Sequence, residues 1–258
     1  MSSPPSPVLR LGAGRVSHDL LYDRFLDEVA FQQLAEWLPS EPSTILDLSV
    51  HCPRLLGLMI RRGHMVVHAE ANSRRPDIVP VADRDTAGGN LQAVRADPRS
   101  PDWLGDGTVD LVVAEGGALS DALAAELTLE ALQRVLRPGG ALLLSVDSLV
   151  SGLSRLADQG RWAELADVPA ADVVLVPGSN GAVSRCFWPE ELHGMLTACG
   201  FAVEWIRPRT VLSEETVTRA LAADPTQLDS MVDTELALSR RRQGESIGGR
   251  LVASARRL

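Results

Sequence analysis

Short apolar segments alternate with segments of helical periodicity between residues 44 and 210, and this alternation constrains the fold more than any other feature. Three of the apolar segments are TILDLS (44–49), HMVVHAE (64–70) and VDLVVAE (109–115). Apolar runs that contain β-branched residues are typical of strands buried on both faces of a parallel sheet. Strands separated by helices at such intervals predict an α/β domain with helices on both faces of the sheet.

Four further segments complete the predicted sheet. NLQAVRAD (90–97), PGGALLLSVD (138–147) and FAVEWIRPR (201–209) predict its third, fifth and sixth strands, and GGRLVASARR (248–257) predicts a closing strand. The strongest helical pattern is DALAAELTLEALQRVL (121–136), which leads into the proline–glycine turn before the fifth strand. The sequence therefore predicts a seven-stranded sheet whose strands are connected mainly by helices.

Composition and periodicity divide the chain into three parts. Residues 1–16 are rich in serine, proline and glycine and lack the apolar core of a signal peptide, so we predict a disordered leader. Residues 17–40 carry apolar side chains at helical spacing up to Pro39, which predicts an N-terminal helical segment. Residues 41–258 form the α/β domain, with a helical insertion predicted at 211–246 before the last strand.

Charge and composition argue against several classes of protein. The net charge is −9 and the pI is about 5.1, whereas proteins that bind a nucleic-acid backbone usually present a basic face. No apolar run approaches the roughly 20 residues that a membrane-spanning helix needs. The three cysteines are too few and too scattered for a disulfide framework or a metal site. We therefore predict a cytoplasmic protein that binds neither nucleic acid nor a membrane and holds no metal.

Acidic side chains stand at or near the ends of four predicted strands: Asp47, Glu70, Asp97 and Glu115. In an open parallel sheet, ligands bind beyond the carboxyl ends of the strands, at the point where the strand order reverses. A row of acids at that edge suits a ligand that carries hydroxyl groups, an amino group and a cation. The sequence therefore predicts a ligand site formed by these four strand ends.

Five features follow one another along the chain. ILDLS (45–49) ends a strand on an acid, Glu70 ends the next strand, and VRADP (94–98) carries a third acid. ALQRVLRPGGALLLSV (131–146) joins a helix to a strand through a proline–glycine turn, and EELHGMLTACGFAVEWI (190–206) joins a helix to the sixth strand. In this order they resemble the class I S-adenosylmethionine (SAM)-dependent methyltransferases.

The resemblance implies a Rossmann-like, mostly parallel seven-stranded sheet with an antiparallel last strand, and SAM as the cofactor. Glu70 corresponds to the family's acid that holds both ribose hydroxyls, and Asp97 to the acid beside the adenine amino group. The family builds substrate pockets after the fourth and fifth strands, where Glu115 and Asp147 lie. No catalytic residue is assigned. The implied cofactor site consists of Asp47, Ser49, His51, Glu70, Asp97 and Glu115.

The loop after the first strand departs from the family pattern. Where the family has three glycines, this chain has Ser49, His51 and Pro53. A non-glycine residue held at a strained backbone angle costs about 1–3 kcal/mol, and the imidazole of His51 would enter the cofactor channel. Since about 3 kcal/mol corresponds to roughly a hundredfold in affinity, we expect weak binding of SAM.

Three functions remain open at this point. The chain is a weakly active or non-catalytic subunit that partners a homologous small-molecule methyltransferase, an active SAM-dependent enzyme for a small-molecule substrate, or a metabolite-binding module. Loss of the glycines favours the first, whereas retention of Glu70 and Asp97 favours the second. The helices predicted before residue 40 and at 211–246 correspond to those that the family uses as substrate caps and interfaces. The resemblance therefore implies a heteromeric partner or a homodimer.

Overall fold

A computed structural model describes residues 13–49, 53–70, 90–177, 182–241 and 248–258. The helices are α1 (Ala13–Trp37), α2 (Pro53–Arg61), α3 (Ala125–Val135), α4 (Leu149–Asp158), α5 (Trp162–Asp167), α6 (Pro189–Ala198), α7 (Glu214–Ala223) and α8 (Leu228–Arg241). The strands are β1 (Thr44–Asp47), β2 (Met65–Glu70), β3 (Leu91–Arg95), β4 (Val109–Ala114), β5 (Leu136–Asp147), β6 (Val174–Pro177), β7 (Val183–Cys186), β8 (Phe201–Pro208) and β9 (Arg250–Arg257).

Seven of these strands form one sheet in the order β3-β2-β1-β4-β5-β9-β8. Strands β1 to β5 pair in parallel, and β9 pairs antiparallel with both β5 and β8. This arrangement confirms the predicted Rossmann-like sheet and its antiparallel last strand. The strand order reverses between β1 and β4, so a crevice is expected beyond the carboxyl ends of those two strands.

The core lies on the two faces of the sheet. On one face, α3 and α6 bury Leu129, Leu132 and Leu192 against the apolar side chains of the central strands. On the other face, α2 and the C-terminal half of α1 bury Met59 and Leu34 against neighbouring strands. Burial of these side chains contributes roughly 1.5–3 kcal/mol each, and it covers both faces of the parallel strands.

A helical cluster stands at the carboxyl edge of the sheet. Because β8 runs parallel to β5, the chain leaves it at that edge and continues into α7 and α8. The middle of α1 packs with these two helices around seven buried side chains: Phe25, Val29, Val217, Leu221, Leu228, Val232 and Leu236. The fully buried Glu235 accepts hydrogen bonds from the amides of Val211 and Leu212, both at 2.8 Å, and so fixes the entry to α7.

Two local features differ from the sequence predictions or lie beyond them. The third strand ends at Arg95 rather than Asp97, because the Asp97 carboxylate accepts a hydrogen bond from the backbone of Arg99 and turns the chain. The predicted leader lies mostly outside the described residues, and its last four residues, 13–16, belong to α1. Within the described part of the chain, no helix is both long enough and apolar enough to span a membrane.

Candidate functional site

The parallel register brings the predicted acidic positions to one edge of the sheet. Asp47, the last residue of β1, lies level with His68 on β2 and with Val113 on β4. Glu70 ends β2 and Glu115 follows β4, so each stands two residues beyond the level of Asp47. The structure therefore places these backbone positions together beside the point where the strand order reverses.

Asp47 is bound from two sides within the protein. Its side chain is 1% exposed. Oδ1 accepts a hydrogen bond from the backbone N–H of Ser49 at 3.1 Å, and Oδ2 lies 2.9 Å from Nδ1 of His68. A carboxylate that bonds the amide two residues ahead stabilises a turn of the backbone. Asp47 therefore orients the chain as it leaves β1.

The structure describes the two ends of the loop after β1, where this chain lacks the family's three glycines. Ser49 is buried, and among the described residues its hydroxyl has no hydrogen-bond partner. Pro53 is the first residue of α2, where a missing backbone N–H costs no helical hydrogen bond. His51 lies outside the described residues, as does the side chain of Glu70. Pro53 therefore has a structural reason of its own, and Ser49 and His51 remain the departures that bear on cofactor binding.

Asp97 is held by Arg99. The guanidinium donates from Nε to Oδ1 at 2.9 Å and from Nη2 to Oδ2 at 2.8 Å, and the Arg99 amide also donates to Oδ1. The side-chain hydrogen bonds from Arg99 are the main reason that the pKa of Asp97 lies below its usual value. Both side chains are about half exposed, so water competes for this pair and it is weak.

Glu115 forms a buried ion pair with Arg209, which follows β8. The Arg209 side chain is 1% exposed, and its Nη2 donates to the Glu115 carboxylate. Nη1 donates to Oε1 of Gln33 on α1 at 2.7 Å, while Nε2 of Gln33 donates to the Arg209 carbonyl at 3.3 Å. We call these three residues the Glu115–Arg209–Gln33 network. It connects β4, β8 and α1 above the carboxyl edge of the sheet.

Asp147, at the end of β5, also has arginine partners within the protein. Nη2 of Arg155 donates to its Oδ2 at 3.0 Å, and Nε of Arg250 lies 3.8 Å from Oδ1. The same nitrogen of Arg155 lies 3.1 Å from Sγ of Cys186. Burial raises the pKa of Cys186 to about 11, so this thiol remains protonated and is a poor nucleophile near neutral pH.

The sequence interpretation missed the partners of these acids. Arg209 stands just beyond the carboxyl end of β8, so the rule that ligand-site residues follow strand ends could have identified it. Gln33 carries no such signal, since it reaches the site only because α1 crosses the sheet edge. Among the described residues, no three His, Cys, Asp or Glu side chains are grouped so as to hold a metal ion.

Comparison with known proteins gives structural relatives only. No protein-family model matches the sequence, and no curated protein sequence is significantly similar to it. A 1,6-didemethyltoxoflavin-N1-methyltransferase of Burkholderia thailandensis, solved with 1,6-didemethyltoxoflavin and S-adenosylhomocysteine bound, has a TM-score of 0.58 and 18% identity. The alignment covers 99% of this chain and 93% of that chain.

Two other solved structures have similar TM-scores. A chain from the complex between the Haloferax volcanii Trm112 methyltransferase activator and the putative methyltransferase has a TM-score of 0.56 and 18% identity, covering 95% of this chain and 94% of that chain. The (4+2)-cyclase SpnF has a TM-score of 0.51 and 16% identity, covering 97% of this chain and 84% of that chain. The strand order and these alignments show that the protein has the fold of the class I SAM-dependent methyltransferases, as the sequence resemblance implied.

Proposed function

We propose that this chain is a methyltransferase-fold subunit that binds SAM weakly by itself and acts beside a homologous small-molecule methyltransferase. SAM is the expected cofactor because the chain has the fold of SAM-dependent enzymes, and the Burkholderia relative holds S-adenosylhomocysteine. The observation that carries the proposal is that the described carboxylates of the candidate site are already paired inside the protein.

Those pairings oppose cofactor binding in a specific way. Asp47 bonds the Ser49 amide and His68, Asp97 bonds Arg99, and Glu115 bonds Arg209. A cofactor that used these oxygens would have to displace or share their present partners. Displacement of Arg209 is the most costly, because removing one partner of a buried ion pair leaves an uncompensated charge.

The loop after β1 adds a second obstacle. Close approach of a ligand to backbone needs residues without a side chain, and neither Ser49 nor His51 meets that need. Weak binding by the isolated chain follows from both features together. A partner that closes over the crevice would contribute the contacts that this chain lacks, and the Haloferax complex is an example of this fold with an activator protein.

A second candidate is an active small-molecule methyltransferase. It is favoured by the exposure of the Asp97–Arg99 pair, since a half-exposed ion pair is weak and Arg99 can swing away from a bound adenine. Glu115, held by Arg209 at the end of β4, would then face the substrate. The Burkholderia relative is a 1,6-didemethyltoxoflavin-N1-methyltransferase and was solved with that compound bound.

Calorimetric titration with S-adenosylhomocysteine and with SAM tests the proposal. The purified chain alone is expected to bind either compound with a Kd above about 100 μM. Addition of a co-encoded methyltransferase of the same fold is expected to produce a complex on size-exclusion chromatography, and to increase the affinity of the mixture beyond that of either chain alone.

Two results would contradict the proposal of a weakly binding partner subunit. A Kd in the low micromolar range for the unmodified chain alone would show that the internal pairings do not obstruct the site, and the active-enzyme candidate would take its place. Failure to associate with any homologous methyltransferase, with both proteins folded by circular dichroism, would remove the partner role.

A further inference from the structure

A groove of about 320 Å³ lies on the sheet face that α1 and α2 cover, beneath the C-terminal end of α1. Its floor includes Leu111 and Leu143, and Ser43, which immediately precedes β1, is at its margin. Ser43 and Leu111 lie toward the amino-terminal ends of β1 and β4, whereas Leu143 is level with Val113 and so with Asp47. The groove opens on this face of the sheet rather than beyond the carboxyl ends of the strands, and none of its lining residues belongs to the candidate cofactor site.

Two indole rings form one wall of the groove. Trp37 is the last residue of α1 and Trp205 is on β8, and their ring centroids lie 4.7 Å apart with planes inclined by 58°. The register of β8 against β9 shifts between Val203 and Trp205, which is a β-bulge at Glu204. Bulges redirect side chains, and this one leaves both Glu204 and Trp205 lining the groove.

The polar groups at the rim neutralise one another. Glu204 accepts hydrogen bonds from Oγ of Ser254 at 2.7 Å and from Nε of Arg256 at 2.6 Å. Asp110 accepts from the backbone N–H of Thr44 at 2.8 Å and forms an ion pair with Arg137. Each acid at the rim thus has its own arginine. A cationic ligand would find no unpaired carboxylate at the rim, and the Arg207 guanidinium already stacks on the Trp205 ring, 4.5 Å from its centroid, so the rim favours an uncharged occupant.

We propose that this groove binds an uncharged, planar aromatic molecule that lies against Trp37 and Trp205 over the apolar floor. Small-molecule sites combine apolar and aromatic walls with a few polar groups, and they typically enclose about 300–1,000 Å³. The groove matches the lower end of that range, which suits a bicyclic or tricyclic ring system. Offset or tilted packing of such a ring on indoles adds to the burial of its apolar surface.

The surroundings favour a small molecule over a protein partner. Protein interfaces extend over a wide surface and have exposed large apolar side chains at their centre. The large apolar side chains that are exposed in the described part of the chain, such as Met65, Leu123 and Trp162, do not line the groove. Large exposed apolar side chains therefore do not extend this groove into a wide apolar surface.

Titration with N-phenyl-1-naphthylamine, an uncharged fluorescent aromatic probe, tests the proposal with the full chain. The probe is expected to gain fluorescence and to quench tryptophan emission as it binds. Ala141→Phe, which places a ring in the groove from β5, is expected to weaken binding at least tenfold, and Trp205→Leu to weaken it several-fold. Trp162→Leu, which removes an exposed indole on α5, is the matched control and is expected to leave binding unchanged.

Each other outcome counts against the proposal. Absence of probe binding to the unmodified chain overturns it, as does equal binding by the unmodified chain and by Ala141→Phe. Near-ultraviolet circular dichroism identifies a variant that fails to fold. If one of Ala141→Phe and Trp205→Leu does not fold, binding of the probe to the other tests the proposal. If sedimentation velocity shows a dimer that Ala141→Phe dissociates, the groove is a contact between subunits and the small-molecule assignment is wrong. Excess S-adenosylhomocysteine is expected not to displace the probe, since the groove and the candidate cofactor site share no lining residue.

Discussion

Arg209 and Glu115 form a buried ion pair although they follow strands that are not neighbours in the sheet, since β5 and β9 lie between β4 and β8. The pair therefore closes over the ends of the two intervening strands, β5 and β9. Through Gln33 it also attaches α1 to the same point. This arrangement makes Glu115 part of the structural framework, and any role in binding must work around its arginine.

Removal of one partner of this pair is expected to destabilise the protein by about 3–5 kcal/mol, because the other charge is left buried and unpaired. Arg209→Met and Glu115→Gln each test this by urea denaturation. The double variant Glu115→Leu with Arg209→Met is expected to recover much of the loss, because it leaves no buried charge. The exposed Arg161–Glu164 pair is the control, and Arg161→Ala is expected to leave the denaturation midpoint unchanged. Additive losses in the double variant would contradict the coupling.

Restoration of glycine at the two loop positions is expected to strengthen cofactor binding. The double variant Ser49→Gly with His51→Gly is expected to lower the Kd for S-adenosylhomocysteine by roughly tenfold to a hundredfold, equivalent to about 1.4–2.7 kcal/mol. Pro53 is kept because it occupies the first position of α2. Glu70→Ala in the same background is expected to abolish the gain, since it removes the proposed acceptor for the ribose hydroxyls. Calorimetry that shows equal affinities for all three proteins would mean that the loop does not limit binding.

Release of Asp97 is expected to help the adenine half of the cofactor. Arg99→Ala removes both side-chain hydrogen bonds to the carboxylate and leaves only that of the backbone amide to Oδ1, and we expect a several-fold lower Kd for S-adenosylhomocysteine in the glycine-restored background. Because Arg99 is the main cause of the lowered pKa of Asp97, the same change is expected to raise that pKa toward its usual value, as carboxyl carbon NMR can show. Arg137→Ala, which removes the ion-pair partner of Asp110 instead, is the control. Equal affinity after both changes would exclude Arg99 as a competitor.

His64 is expected to make the fold sensitive to mild acid. Its Nδ1 accepts the backbone N–H of Ser43 at 3.1 Å, and its buried Nε2 has no partner among the described residues. Burial lowers the pKa of His64 below its usual 6.5. The unfolded chain therefore takes up this proton more readily, so the stability contribution is present above pH 6.5 and is lost as the pH falls toward the folded-state pKa.

His64→Gln tests this dependence, because an amide oxygen can still accept from Ser43 but does not titrate. The unmodified chain is expected to lose more stability than the variant between pH 7.5 and pH 5, as measured by urea denaturation at each pH. His193→Gln, on the outer side of α6, is the control for a general loss of histidine. Parallel stability curves for the unmodified chain and His64→Gln would show that His64 does not contribute.

The strands and the fold class could be predicted from the sequence, because a strand that is buried on both faces of a parallel sheet is a continuous run of apolar residues. TILD and VDLVVA are apolar over their whole length, and both form central strands. The antiparallel β9 followed from the resemblance to a family, in which the order of signals specifies the connections. The predicted proline–glycine turn is part of β5 instead, which begins at Leu136 and shifts register with β4 over this stretch. The end of β3 was placed two residues too late, since the turn there depends on hydrogen bonds of Asp97 rather than on hydrophobicity.

Only the tertiary structure decided what the acids of the candidate site do. Glu115 and Arg209 are 94 residues apart in sequence, and Gln33 and Arg209 are 176 apart, so no local pattern connects them. The same holds for α1, whose apolar side chains predicted a helix but not its packing against α7 and α8. A side chain at a strand end has the same local sequence whether it faces a ligand or an internal partner. Packing chooses between these outcomes, because an arginine brought into the low-dielectric crevice must find a carboxylate there.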